Sequence, residues 1–375
     1  MTEPIQTQAG DAFRVLLDTL AEIQQRYLSE EFGITDPDSA AEGHRLLVHQ
    51  LDTALTMYFE QDPAHPDWRR IVGPHRKALG DNTDAVYFTA PFDSQHSYRV
   101  TGNIAGAAYT SFTVEAGAAD GAYAAQTAGV LNDTDFDIAD DGSYEIFFGG
   151  EPRDRGWLAL PEGGGLITTR HYFEWPQPAA ADETLLIPLT IEVLEPLGPP
   201  PRPDDASIAA GINRMTTFLR GRTNDQPPRG SVPLPTWVGL TPNQFPQPEK
   251  PGDLAFAAFD AAYSMAPYYL QPDEALVITG RWPECRFANV CLWNRFLQTY
   301  DYVHRTVGLN RSNTDLEADG SWRMVLAHED PGVPNWLDTE GRPFGQVYWR
   351  YFLPEGVIDT PQATVVKLAD LGRPS

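Results

Sequence analysis

With 375 residues, 42% of them hydrophobic, and with 18 Phe, 15 Tyr and 9 Trp, the chain has too much buriable surface for disorder and is long enough for two cores. A formal net charge of −25 repels polyanions, so neither nucleic acid nor an anionic membrane is an expected partner. No apolar run of about 18 residues occurs, so no membrane span is expected. The first ten residues lack the basic and apolar regions of a secretory signal. Cys285 and Cys291 fall on one expected strand about 20 Å apart, too far to bond each other, so they read as reduced core residues of a cytoplasmic protein.

The N-terminal segment reads as helical. Phe13, Leu16, Leu20, Ile23 and Tyr27 step by three and four and form one apolar stripe. Leu47, Leu51, Leu55 and Tyr58 continue in a second helix, with Ser39 and Glu42 as its capping box and Gly33, Pro37 and Asp38 breaking the pair. Residues 61–95, rich in Pro, Gly, Asp and His, read as an irregular connection that closes a first segment, 1–95. From Tyr98 the apolar period becomes two. Tyr144, Ile146 and Phe148 alternate with polar residues after an Asp-Asp-Gly turn, the signature of short antiparallel strands. A first β-sandwich unit is therefore expected over 96–197, ending at the five prolines of 196–203. Segment 198–272 reads as a linker with three parts. They are a helix carrying Ile208, Ile212, Met215 and Leu219, a Pro-rich stretch from Gln226 to Pro251 that reads as a rigid surface strap or else a lid or belt over a site, and an Ala-rich helix near Phe256–Met265. A second β-sandwich unit occupies 273–375.

The second unit repeats the first. Asp141-Gly142-Ser143-Tyr144, Trp157-Leu158 and Arg170-His171-Tyr172-Phe173 recur 178 or 179 residues later as Asp319-Gly320-Ser321-Trp322, Trp336-Leu337 and Trp349-Arg350-Tyr351-Phe352. The fold class expected is mainly β (α+β): two related antiparallel β-sandwich or jelly-roll units, an N-terminal helical segment and a helical, Pro-rich linker. Four strings carry a resemblance: Asp81-Asn82-Thr83-Asp84, Ser97-Tyr98-Arg99-Val100-Thr101-Gly102, Asp301-Tyr302-Val303-His304-Arg305, and Asp330-Pro331-Gly332-Val333-Pro334-Asn335-Trp336-Leu337-Asp338-Thr339. With them the chain resembles the bacterial domain-of-unknown-function 1214 family. That resemblance implies tandem jelly-roll-like domains and no established activity.

Differences between the copies direct attention to the second. Gly150 is replaced by His328, and pairing His171 with Arg350 puts a charge in phase with Phe352. Buried charge is costly unless paired or hydrated, so a polar recess is expected in the second sandwich. Its catalytic candidates are His328 and His304 as proton carriers, Arg350 to hold or polarise an oxygen, and Asp338 to orient them. Asn294, in phase with Val290 and Leu292, joins Arg305, Glu329, Asn335 and Trp336 as substrate contacts. The competing structural account ties Arg350 to Glu329 or Asp338 as a buried ion pair.

Arg69, Arg70 and Arg76, with His75 and Lys77, form a basic cluster suited to an anionic head group or to the chain's own carboxylates. Asp133, Asp135 and Asp137 read as an acidic outer strand face rather than a calcium loop, and no metal or cofactor is implied. The expected function is a cofactor-independent enzyme using acid/base chemistry on a small, largely apolar, terpenoid- or steroid-like molecule that can carry an anionic group. Lyase, isomerase and hydrolase reactions stay open. The alternatives are a non-catalytic ligand- or glycan-binding module, with Trp282, Trp293, Trp322 and Trp349 offered to sugars, and a homo-oligomeric assembly subunit.

Overall fold

The computed structural model describes residues 5–371 apart from 79, 118, 125, 229 and 253–256. Three α-helices form an N-terminal and linker cluster. Helix α1 (Gln8–Arg26) starts at Thr7, whose hydroxyl accepts from the Gly10 N–H, and buries Ala12, Leu16, Thr19 and Ile23. The stripe is thus rotated slightly from the expected one, leaving Phe13 exposed. Helix α2 (Pro37–Ala54) is capped by Asp36, which accepts from the Ser39 N–H at 2.8 Å, and not by Ser39. Pro37 opens this helix, because its first turn needs no N–H there. Helix α3 (Asp205–Gly221) starts at an Asp204–Ser207 capping box and packs on α1.

The first β unit contains β1 (Arg69–Arg70), β2 (Ala85–Asp93), β3 (Tyr98–Asn103), β4 (Tyr109–Ala116), β5 (Gln126–Asn132), β6 (Ser143–Phe148), β7 (Trp157–Leu158), β8 (Gly164–Tyr172) and β9 (Leu189–Val193). Its sheets are ordered β1-β2-β8-β4-β5 and β7-β6-β3-β9. The second contains β10 (Ala261–Tyr269), β11 (Glu274–Gly280), β12 (Phe287–Trp293), β13 (Gly308–Asn310), β14 (Trp322–Ala327), β15 (Trp336–Asp338), β16 (Phe344–Phe352) and β17 (Gln362–Lys367). Its sheets, β10-β16-β12-β13 and β15-β14-β11-β17, repeat that order, except that the short edge strand β1 has no counterpart among the described residues. Pairing is antiparallel except for β6–β7 and β14–β15, which are parallel in both copies. The chain is mainly β, two related sandwiches with helices.

Two connections expected to be irregular or helical are strands. Ala85–Asp93 lies inside the 61–95 connection and pairs with β8 along its whole length. Ala261–Tyr269, which overlaps the end of the expected Ala-rich helix, is the edge strand β10, and the first residue of that expected helix, Phe256, lies outside the described residues. Both strands are buried on both faces, so their apolar residues run on without the alternation that marks a half-buried strand. The two β units therefore begin earlier in the chain than positions 96 and 273.

One local constraint repeats across the copies. A Cβ on Gly102 would stand 2.3 Å from the Tyr144 hydroxyl, and one on Gly280 would stand 2.6 Å from the Trp322 ring. Glycine lets the large ring of β6 or β14 lie over the neighbouring strand.

The two units meet through the sheets that contain β8 and β16. Tyr109 and Tyr172 of the first pack on Phe287, Tyr348 and Phe352 of the second. Around this contact each unit offers a buried aspartate to the other. Asp84 accepts from the Nδ2 groups of Asn289 (2.7 Å) and Asn310 (3.0 Å). Asp260 accepts from Asn132 Nδ2 (2.9 Å) and the Tyr109 hydroxyl. The backbone oxygens match as well, Asp84 accepting from the Phe173 N–H and Asp260 from the Leu353 N–H. The Asp81–Asp84 string is thus a clasp between the units.

Candidate functional site between the two units

The strand register decides which way each arginine points. In β16, Val347, Trp349 and Tyr351 enter the second sandwich's core, while Tyr348 and Phe352 face the first unit. Arg350 shares their phase and leaves its own sandwich. In β8, Ile167 enters the first sandwich's core and Tyr172 faces the second unit; Arg170 shares the phase of Tyr172. Partner strands fix the equivalence: Arg170 pairs with Ser111 as Arg350 pairs with Asn289. Arg350 therefore corresponds to Arg170, 180 positions earlier, and not to His171, whose counterpart is Tyr351. The expected pairing was one residue out of register, and one residue reverses the face.

Both arginines line a cavity of about 450 Å³ between the units. Its walls include Tyr87, Thr168 and Tyr172 from the first unit and Tyr263, Met265, Trp293 and Tyr348 from the second. Leu46, Gln50 and Met57, from α2 and the helical turn after it, cover one side. The Pro-rich strap runs beside β10, bridging Val238 to Met265 and Glu249 to Tyr263, and puts Trp237 into the wall. The segment is therefore both strap and wall.

The arginines differ in their surroundings. Arg170 donates to the Thr113 hydroxyl and lies 3.9 Å from the buried carboxylate of Glu115. By strand register, the place of Glu115 is taken in the second unit by Trp293. Arg350 is 6% exposed and donates to the Gly80 carbonyl at 2.7 Å and weakly to Cys291 Sγ. It lies 4.5 Å from the Tyr348 ring centre and 5.1 Å from that of Trp293. Among the described residues no carboxylate lies within ion-pair distance of it. Other buried polar atoms of the lining residues, Gln50 Oε1, Trp237 Nε1 and Thr168 Oγ1, have no partner within the described residues. The Tyr87 and Tyr172 hydroxyls are 2.8 Å apart. Burial pushes the Tyr263 phenol up to about 12 and holds Tyr87 protonated at neutral pH.

The residues expected to line a recess inside the second sandwich are arranged otherwise. That interior is filled by Trp322, Met324, Trp349, Tyr351 and their neighbours. His304 and Arg305 lie in a turn, not a strand. His304 Nδ1 is 2.8 Å from Asp301, and Arg305 pairs with Asp338 at 2.6 Å. His328 Nδ1 is 2.7 Å from the Thr339 hydroxyl, and Glu329 is exposed. Neither Glu329 nor Asp338 pairs with Arg350. Asn335, at φ +54°, staples its loop through Asp315 and Arg323, and Trp336 Nε1 donates to Ala327. Asn294 is buried and bonded to Gln298. Of these candidates only Arg350 lines the cavity.

The basic cluster serves the chain's own backbone and carboxylates. Arg69 binds Asp67 and the carbonyls of Thr56 and Glu60; Arg70 binds those of Val72 and Ala180; Arg76 binds Ile71 and Asp52. Asp133, Asp135 and Asp137 belong to a turn rather than a strand face, and Asp133 pairs with Arg286 of the second unit at 3.3 Å. Cys285 precedes β12 while Cys291 lies within it, and both are free thiols. Trp322 and Trp349 are buried, so they offer no sugar-facing surface. No helix among the described residues is long and apolar enough to cross a membrane.

Three cavity residues that sequence reasoning did not place in a site, Arg170, Tyr87 and Tyr263, carried a signal. Tyr87 recurs as Tyr263 and Arg170 as Arg350, once strands rather than landmark strings are aligned.

No curated protein matches the chain. The fold is shared with an uncharacterized protein from Burkholderia cenocepacia, with a TM-score of 0.81, 28% identity, and 96% of this chain and 98% of that one covered. A Vibrio parahaemolyticus protein matches more weakly, with a TM-score of 0.49, 11% identity, and 86% and 98% covered. Residues 290–356, from within β12 to just beyond β16 and including Arg350, match the family described as "Protein of unknown function (DUF1214)", and the chain's resemblance to that family stands on this segment.

Proposed function

We propose that the protein binds a small anionic molecule with a largely apolar, ring-bearing body in the cavity between its two units. The observation that carries this reading is Arg350, a buried guanidinium facing a cavity with no carboxylate in ion-pair distance among the described residues. Such a charge is costly unless an anion completes it. Guanidinium accepts carboxylate or phosphate through paired N–H donors, and the surrounding Tyr and Trp rings suit a flat apolar body. Titration calorimetry with 2-naphthoate as probe tests the reading. Arg350→Gln is expected to weaken binding by about 30-fold or more, on the scale of losing one partner of a buried charge pair. Binding equal to wild type in that variant would reject the site.

Catalysis is a second reading, favoured by the Tyr87–Tyr172 pair. One phenol could deliver a proton to a ligand held at Arg350 while its neighbour's hydroxyl stabilises the phenolate left behind. Tyr172→Phe should then bind as wild type yet lose turnover of ring-bearing carboxylates followed by mass spectrometry. Unchanged turnover would leave binding alone.

A further inference from the structure

The charges around the cavity can be paired off. Glu115 lies 3.9 Å from Arg170. Lys77 and Asp81 are both fixed on Thr299. The ammonium donates to its carbonyl at 3.0 Å, and the carboxylate accepts from its N–H at 3.0 Å and from its hydroxyl. Each is the leading opposite charge acting on the other, and Arg350 acts on Asp81 more weakly. Arg222 and Arg295 line the cavity from half-exposed positions, where water screens them. Arg222 stacks on Tyr123, and Arg295 donates to Ser39. Among the described residues one buried cavity cation, Arg350, is left with no carboxylate in ion-pair distance.

From this we infer that the site selects monoanions, and that Glu115 is a specificity-determining residue because it fills Arg170 and repels a second negative charge. The inference rests on the anion site proposed above. A single carboxylate or sulfonate satisfies Arg350. A dianion would carry its other charge into a cavity whose remaining deep arginine is already occupied.

The test compares 2-naphthoate with naphthalene-2,6-dicarboxylate by titration calorimetry on the full chain, with folding checked by Tm. Wild type is expected to favour the monoanion by about tenfold or more, the scale of one charge-assisted hydrogen bond. Glu115→Gln should narrow that gap by tightening the dianion. Trp293→Glu, which gives Arg350 the neighbour Arg170 already has, should abolish 2-naphthoate binding while the protein still folds. A wild type that holds the dicarboxylate as tightly as the monoanion overturns the inference and leaves the anion site intact. An unchanged gap in folded Glu115→Gln does the same. If that variant fails to fold, wild-type preference and Trp293→Glu decide. Wild type binding neither probe, or Arg350→Gln binding 2-naphthoate normally, removes the site and this inference together.

Discussion

Strands β8 and β16 hold the same place in their units and carry the same outward-facing arginine, yet each arginine has a different neighbour. In the first unit Glu115, four residues beyond Ser111 on the same strand, turns its carboxylate toward Arg170. In the second, the same backbone position presents Trp293, and Arg350 meets rings instead. The comparison teaches that one position in a duplicated scaffold decides whether the same buried arginine lies beside a carboxylate of its own chain or meets rings. It also explains why the two arginines come to differ in the cavity between the copies. The sandwich interiors are filled by each unit's own rings, whereas the face between them is where the copies were free to differ.

The largest effect should come from truncating the two arginines separately. Arg170→Met leaves Glu115 as an uncompensated buried charge and should lower unfolding stability by about 3–5 kcal/mol. Arg350→Met removes a cation that has no carboxylate partner among the described residues and should change stability by less than about 1 kcal/mol in either direction. Urea unfolding of both variants checks this, and equal losses would mean that the two environments are not different in kind. Next come the paired glycines. Gly102→Ala and Gly280→Ala each force a methyl into a ring and should each cost about 1–3 kcal/mol, with similar values if the repeated packing is equivalent.

Acid sharpens the comparison further. His171 is fully buried between the Phe88 and Phe112 rings, where its second-unit counterpart is Tyr351. Burial lowers its folded-state pKa to about 3, from the ordinary 6.5. Between those values the unfolded chain binds a proton that the folded chain refuses. The neutral ring's contribution is therefore complete above pH 6.5 and is lost as pH falls toward 3. At pH 5 the loss is about 2 kcal/mol. Asp84 opposes this trend: burial raises it to about 6, so its protonated form favours folding as pH falls through that range. The difference between wild type and His171→Phe isolates the histidine. Parallel stability–pH curves for the two would show that His171 has a partner in solution.

The duplication, the helices and the sandwich class were legible because they rest on local signals. The Asp-Gly-Ser turns repeat to the same hydrogen bonds, with Ser143 and Ser321 each donating to the aspartate two residues back. Strands β2 and β10 were not legible, since burial on both faces erases alternation. Arg350 was recognised as unusual, but its direction was misread. Aligning the Tyr-Phe ends of β8 and β16 gives an offset of 179, while Gly165 and Gly345, the glycines that pair with Phe92 and Tyr268, give 180. The acid/base candidates His304 and His328 answer to neighbours, Asp301 and Thr339, that no periodicity brings together.

The exchanged aspartates bear on how the chain is made. Asp84 receives its last side-chain partner from Asn310, 226 residues later. At ordinary translation rates that partner is synthesised roughly 10 to 45 seconds afterwards. Through that interval the nascent first half presents to the surrounding medium the rings of its β8 face and a carboxylate that has Thr83 but neither asparagine as partner. Early release or a stalled ribosome would therefore yield a sticky fragment rather than a smaller working protein.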